Sequence, residues 1–123
     1  MKAYGKELII DMHKCDKYYF NRRNINNFFD LVCKATDMKK EKLCWWDDLY
    51  TPAEEKQTEP HLAGTSAVQF IKTSNITIHT LDLLGNVYIN FFSCKSYDSR
   101  KVIRIAKKIF KGKVVSVVII ERK

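Results

Sequence analysis

The sequence predicts an α+β domain, a two-layer α/β sandwich with two helices packed on one face of a mainly antiparallel sheet. Three observations carry this. Two stretches place apolar residues at helical spacing, around residues 24–37 and 98–111. Six short runs rich in β-branched and aromatic residues read as strands. The two helical stretches stand far apart in the chain, with most of the strands between them. The 123 residues show no internal repeat or low-complexity tract, so residues 1–123 read as one domain.

The first strand is read at 7–12, Glu-Leu-Ile-Ile-Asp-Met, and Cys15-Asp16-Lys17 interrupts it. Ile25, Phe28, Phe29 and Val32 then fall on one helical face, with Asn24 as the expected N-cap and the helix fading by Asp37. Leu43-Cys44-Trp45-Trp46 reads as a short strand. Asp47 to Pro60 is acidic, carries Pro52 and Pro60, and reads as a loop, either a lid over a site or a plain surface excursion.

Ala67 to Lys72 and Asn75 to Leu81 follow as strands. In the second, Ile76, Ile78 and Thr80 share one face and Thr77, His79 and Leu81 the other. Leu84-Gly85-Asn86 is a turn before the strand Val87 to Phe92. Asp98 or Ser99 caps a helix that turns Val102, Ile103, Ala106, Ile109 and Phe110 inward, and Gly112 ends it. Val114 to Ile120 is almost wholly apolar, which implies a strand buried on both faces.

Composition narrows the function classes. No apolar run approaches the ~20 residues that span a bilayer. The first residues lack the long apolar segment of a signal peptide, so the expected location is cytoplasmic, without a membrane partner. Four cysteines without Cys-x-x-Cys spacing read as free thiols, and three histidines supply no zinc-ligand pattern, so no metal is expected. The net charge of +8 invites a nucleic-acid reading. The lysines are scattered around helix ends, however, and read as solvated faces rather than a phosphate-tracking groove.

The chemistry-bearing residues concentrate between Thr65 and Cys94, where strands are expected to bring Ser66, Ser74, His79 and Cys94 within reach of one another. Taken singly, Ser74 is a polar pleat position, His79 a hydrogen-bonded core residue and Cys94 a small buried hydrophobe. Taken together, their spacing resembles that of the small prokaryotic S-adenosylmethionine decarboxylases. The residues that carry this resemblance are Gly5-Lys6-Glu7-Leu8, Cys15-Asp16, Ser66, Ser74-Asn75-Ile76-Thr77-Ile78-His79-Thr80 and Phe92-Ser93-Cys94.

The resemblance implies a self-processing decarboxylase whose cofactor is a pyruvoyl group made from Ser74. A decarboxylase acting on an amino acid needs an electron sink, and a ketone at a chain terminus provides one. Cleavage between Thr73 and Ser74 would give a β chain of residues 1–73 and an α chain of 74–123. Ser66 and His79 would serve that processing, and Cys94 would return a proton to the product. The family precedent also implies a homodimer of processed αβ units with active sites near the interface. Such a second copy would cover the sheet face that the helices leave open.

The sequence departs from the family pattern at Thr73 and Asn75, which flank Ser74 where the family has Glu and His. Leu81-Asp82-Leu83 replaces a Trp-Pro-Glu whose glutamate holds the ribose of S-adenosylmethionine. Asp82 would serve instead only if a bulge turned it to the other face. Trp46 is a candidate for stacking on adenine, with core or lid packing as the alternative. Arginine or ornithine is therefore the alternative substrate, with Asp11, Asp47 and Asp48 as candidate partners of a distal cation. A non-processing, catalytically silent relative is the third possibility.

Overall fold

The computed structural model describes residues 3–47 and 52–123. Six strands form one sheet: β1 (Gly5–His13), β2 (Lys40–Trp46), β3 (Gly64–Ile71), β4 (Ser74–Leu81), β5 (Asn86–Ser93) and β6 (Lys113–Arg122). Their order across the sheet is β2-β3-β4-β5-β1-β6, and every neighbouring pair is antiparallel. Helices α1 (Arg22–Ala35) and α2 (Ser99–Phe110) follow β1 and β5. The result is the α+β sandwich that the residue pattern implies.

The core lies between the helices and one sheet face. Ile25, Phe28, Phe29 and Val32 of α1 and Val102, Ala106 and Phe110 of α2 are buried. Alternate residues of the central strands meet them: Leu8, Ile10 and Met12 of β1, Ile76 and Ile78 of β4, Val87, Ile89 and Phe91 of β5. Phe28 and Phe110 join the two helices, with ring centroids 5.5 Å apart. Each fully buried ring of this kind contributes ~2–3 kcal/mol from lost water contact.

Three local expectations are corrected. The N-cap of α1 is Asn21 rather than Asn24: its side chain accepts the Asn24 N–H at 2.9 Å, so the helix begins one turn earlier. At the end of α2 the left-handed residue is Lys111, with φ of 55°, and not Gly112. Gly112 is required for a different reason, since a Cβ there would stand 2.3 Å from Cys15 Sγ.

The third correction concerns β6. Its apolar sequence implies burial on both faces, yet Val117, Val118, Ile119 and Ile120 are each 42–51% exposed. The cause is position: β6 pairs only with β1 and forms the edge of the sheet. The two helices cover the central strands, and an edge strand gains neighbours on one side only.

The connection 47–63 joins β2 to β3. Arg22 pins its start by a two-point ion pair to Asp47, with Nε 2.6 Å from Oδ2. Ala53–Glu55 forms a single 3₁₀ turn. Asp48, proposed from sequence as a cation partner, and part of the expected 47–60 loop lie outside the described residues.

Candidate active site

A two-residue turn, Lys72-Thr73, joins β3 to β4, since Ile71 pairs with Ser74. Thr73 closes this turn at φ of 67°, a left-handed conformation that a β-branched side chain rarely adopts. Such a backbone stores ~1–3 kcal/mol and persists only where its surroundings hold it. The strained residue leads directly into Ser74.

Ser74 faces the helices and is buried. Its hydroxyl donates to Ser93 Oγ at 2.7 Å, across the β4–β5 ladder where the two serines are paired. Cys94, the residue after β5, reaches back over the turn. Its thiol donates to Thr73 Oγ1 at 3.3 Å and to the Thr73 carbonyl at 3.7 Å. Thr73, Ser74 and Cys94 are therefore one group, assembled by a hairpin turn and the end of the next strand.

Ser66 and His79 form a second group. They are partners in the β3–β4 register, and Ser66 Oγ lies 2.6 Å from His79 Nδ1. His79 is five residues along β4 from Ser74, about 17 Å at the rise of a strand. An odd separation also turns the two side chains to opposite faces. The expectation that all four residues meet within one protomer is thus corrected: the chain makes two pairs, at opposite ends and on opposite faces of β4.

The register extends the second group into a row. Trp46 pairs with Ser66, Ser66 with His79, His79 with Tyr88, and Tyr88 with Asp11. All lie on the face that carries no helix. A cleft of about 330 Å³ opens beside the row, lined by Trp46, Ser66, His79, Leu81 and Tyr88, with Gln57, His61 and Leu62 of the connection as its rim. Trp46 is 78% exposed there, a flat apolar surface that stacks on no other ring among the described residues.

Asp11 stands two strands from His79, about 10 Å away, and does not line this cleft. Asp82 follows β4 in the loop to β5, and its N–H donates to Ala63 O at 3.0 Å. The pairing of β4 with both neighbours is regular through Leu81, so no bulge turns Asp82 toward the cleft. Asp47 faces Arg22 instead.

Two residues of these groups were not singled out from sequence as functional, Ser93 and Tyr88. Both follow from the hairpin register. Once the loop 82–85 is recognised, Leu81 must face Asn86, and His79–Tyr88 and Ser74–Ser93 follow by counting outward. Gly85, at φ of 76°, marks that loop. Among the described residues no cluster of His, Cys, Asp and Glu could hold a metal ion, and no helix is long and apolar enough to cross a membrane.

Burial sets two of the cysteines apart. Burial pushes the Cys15 and Cys33 thiols up to about 11, so both stay protonated and inert. Cys94, only partly buried, stands apart from that apolar environment beside the Thr73 turn.

Fold and site together define a small antiparallel α+β protein with a strained Thr-Ser step under a thiol and a separate Ser–His pair. The chain belongs to the S-adenosylmethionine decarboxylase family, whose sequence model matches residues 6–123. Among its relatives are the S-adenosylmethionine decarboxylase proenzymes of Caldicellulosiruptor saccharolyticus and Caldicellulosiruptor bescii. Each is 30% identical over 97 residues, spanning 76% of this chain and 67% of the relative. The crystal structure of the adenosylmethionine decarboxylase from Aquifex aeolicus VF5 superposes with a TM-score of 0.77. At 16% identity it covers 99% of this chain and 92% of its own, which establishes the shared fold.

Proposed function

We propose that the protein is a proenzyme that cleaves itself between Thr73 and Ser74 and then decarboxylates S-adenosylmethionine. The observation that carries this reading is the Thr73–Ser74 step: a left-handed threonine immediately precedes a buried serine, and the Cys94 thiol lies 3.7 Å from the threonine carbonyl oxygen. Attack of Ser74 Oγ on the Thr73 carbonyl carbon forms an ester as the C–N bond breaks and the proton passes to nitrogen. Strain at Thr73 is relieved along this path, which lowers the barrier. Elimination frees the Thr73 carboxylate, and hydrolysis of the resulting dehydroalanine releases ammonia.

Ser74 fits the pyruvoyl group by position, since its side chain is enclosed and shielded from bulk water. That group, once made, supplies the ketone on which a decarboxylation can place its electrons. The Cys94 thiol is positioned to hold and return a proton there. A serine hydroxyl on His79 Nδ1 fixes the imidazole so that its other nitrogen can take the Ser74 α-proton.

This last role requires the His79 pair to meet Ser74, which one protomer does not permit. In a homodimer packed through the open faces, the Ser66–His79 pair of one chain would act on the Thr73–Ser74 step of the other. The open face supports such packing, since Phe70, Val118 and Ile120 are exposed on it. The same packing would close the cleft beside Trp46, whose indole face suits the adenine ring. Location in the cytoplasm is part of this reading.

The test is release of CO₂ from carboxyl-labelled substrate by the purified, cleaved protein. S-Adenosylmethionine is the expected substrate. Release from arginine or ornithine alone would replace it with the amino-acid reading, and absence of both cleavage and release would make the chain a silent relative.

A further inference from the structure

Ser93 is wholly buried, and each polar feature of its hydroxyl has an assigned partner. One lone pair accepts the Ser74 hydroxyl at 2.7 Å and the other accepts the Lys95 N–H at 2.9 Å. Its own proton points to Met38 Sδ at 3.9 Å. A hydroxyl has one proton and two lone pairs, so this account is full. Ser93 therefore receives from Ser74 and does not donate to it.

The direction of that bond matters for the Ser74 oxygen. With its proton held by Ser93, both of its lone pairs are free to approach the Thr73 carbonyl carbon. Were Ser93 the donor, one of those lone pairs would be occupied. The anchor is also rigid, because the Lys95 ammonium holds the Asp37 carbonyl of the α1–β2 connection while its N–H holds Ser93. Met38, which takes the Ser93 proton, is the next residue of that connection.

We propose that Ser93 is a positioning residue for self-cleavage, orienting the Ser74 hydroxyl for attack on Thr73. The inference rests on the self-processing reading above and adds a role to it. In the attack, the Ser74 Oγ–Thr73 C bond forms, the Thr73 C–Ser74 N bond breaks, and the Ser74 proton ends on the released amine. Ser93 exchanges no proton in the balance. It holds the donor direction until the oxygen commits.

The experiment follows cleavage of purified full-length protein by intact mass, for wild type, Ser93→Ala and Ser93→Thr. Thermal melts confirm that each variant is folded. Removing an orienting contact at a reacting atom costs on the order of 10–100-fold in rate. Ser93→Ala is expected to slow cleavage by that factor, and Ser93→Thr, which keeps the hydroxyl, to stay within about threefold of wild type.

Hydroxylamine, which cuts esters, places the step. Ester formation is the step that Ser93 assists, so hydroxylamine should not restore cleavage in Ser93→Ala. Equal rates for Ser93→Ala and wild type, or restoration by hydroxylamine, would overturn the role. If wild type itself never cleaves, the self-processing reading fails, and the role of Ser93 fails with it.

Discussion

Ser66 and His79 face each other across neighbouring strands, with Oγ 2.6 Å from Nδ1, on the sheet face opposite to Ser74. The two halves of the candidate machinery are therefore built by one chain but do not meet within it. Complementation between inactive chains should reveal this. A His79→Ala chain and a Ser74→Ala chain, tagged differently and co-expressed, are expected to restore cleavage of the His79→Ala chain alone. Each chain expressed singly should stay whole. Without rescue in mixed dimers, the pair would have to act within one protomer.

Thr73 provides the second expectation. Replacing it by glycine relaxes the left-handed backbone at φ of 67° without changing the carbonyl under attack. The Thr73→Gly precursor should be stabilised by about 1 kcal/mol and cleave about tenfold more slowly, since less strain is released on the way to the ester. Urea unfolding of the uncleaved form and a cleavage time course measure the two effects. A faster-cleaving glycine variant would remove strain from the account.

The buried thiols set a pH dependence. Burial raises Cys15 and Cys33 to about 11 from an ordinary value of 9.0, so the folded state prefers their protonated form. Their contribution is whole below pH 9 and is lost as pH rises toward 11. The expected loss is on the order of 2 kcal/mol per thiol. The urea midpoint should fall between pH 8 and 10.5, and by less in Cys33→Ala than in wild type. Matching slopes in the two proteins would argue against it.

Gly112 tests the packing at the foot of α2. A methyl group there would meet Cys15 Sγ at 2.3 Å and the His13 carbonyl at 3.0 Å. Gly112→Ala should destabilise the protein by roughly 1–3 kcal/mol. Adding Cys15→Ala should recover part of that loss, because the sulfur is the nearer obstacle. Thermal melts of the two variants decide this, and additive losses would place the clash elsewhere.

Much of this was legible in the residues. Helical spacing at Ile25, Phe28, Phe29 and Val32, and alternation along Asn75–Leu81, gave the elements and their buried faces. Equal counts outward from the Lys72-Thr73 turn, from Ile71 back to Ser66 and from Ser74 on to His79, could have shown that Ser66 and His79 pair, and the odd separation of Ser74 and His79 that these two part. What spacing along one strand does not convey is which partner completes a site. The apolar content of β6 misleads for a related reason: Val117 to Ile120 look like a central strand, but order in the sheet depends on β1 lying between β5 and β6. That placement is set by packing across the whole chain rather than by local pattern.

The most direct measurement is the intact mass of the purified wild-type protein over time, beside Ser74→Ala. Wild type is expected to resolve into chains 1–73 and 74–123. Their summed mass should equal the precursor plus one water less one ammonia, with no free α-amino group at the start of the second chain, while Ser74→Ala stays whole. A wild-type protein that remains a single chain of 123 residues, or one cut elsewhere, would contradict it.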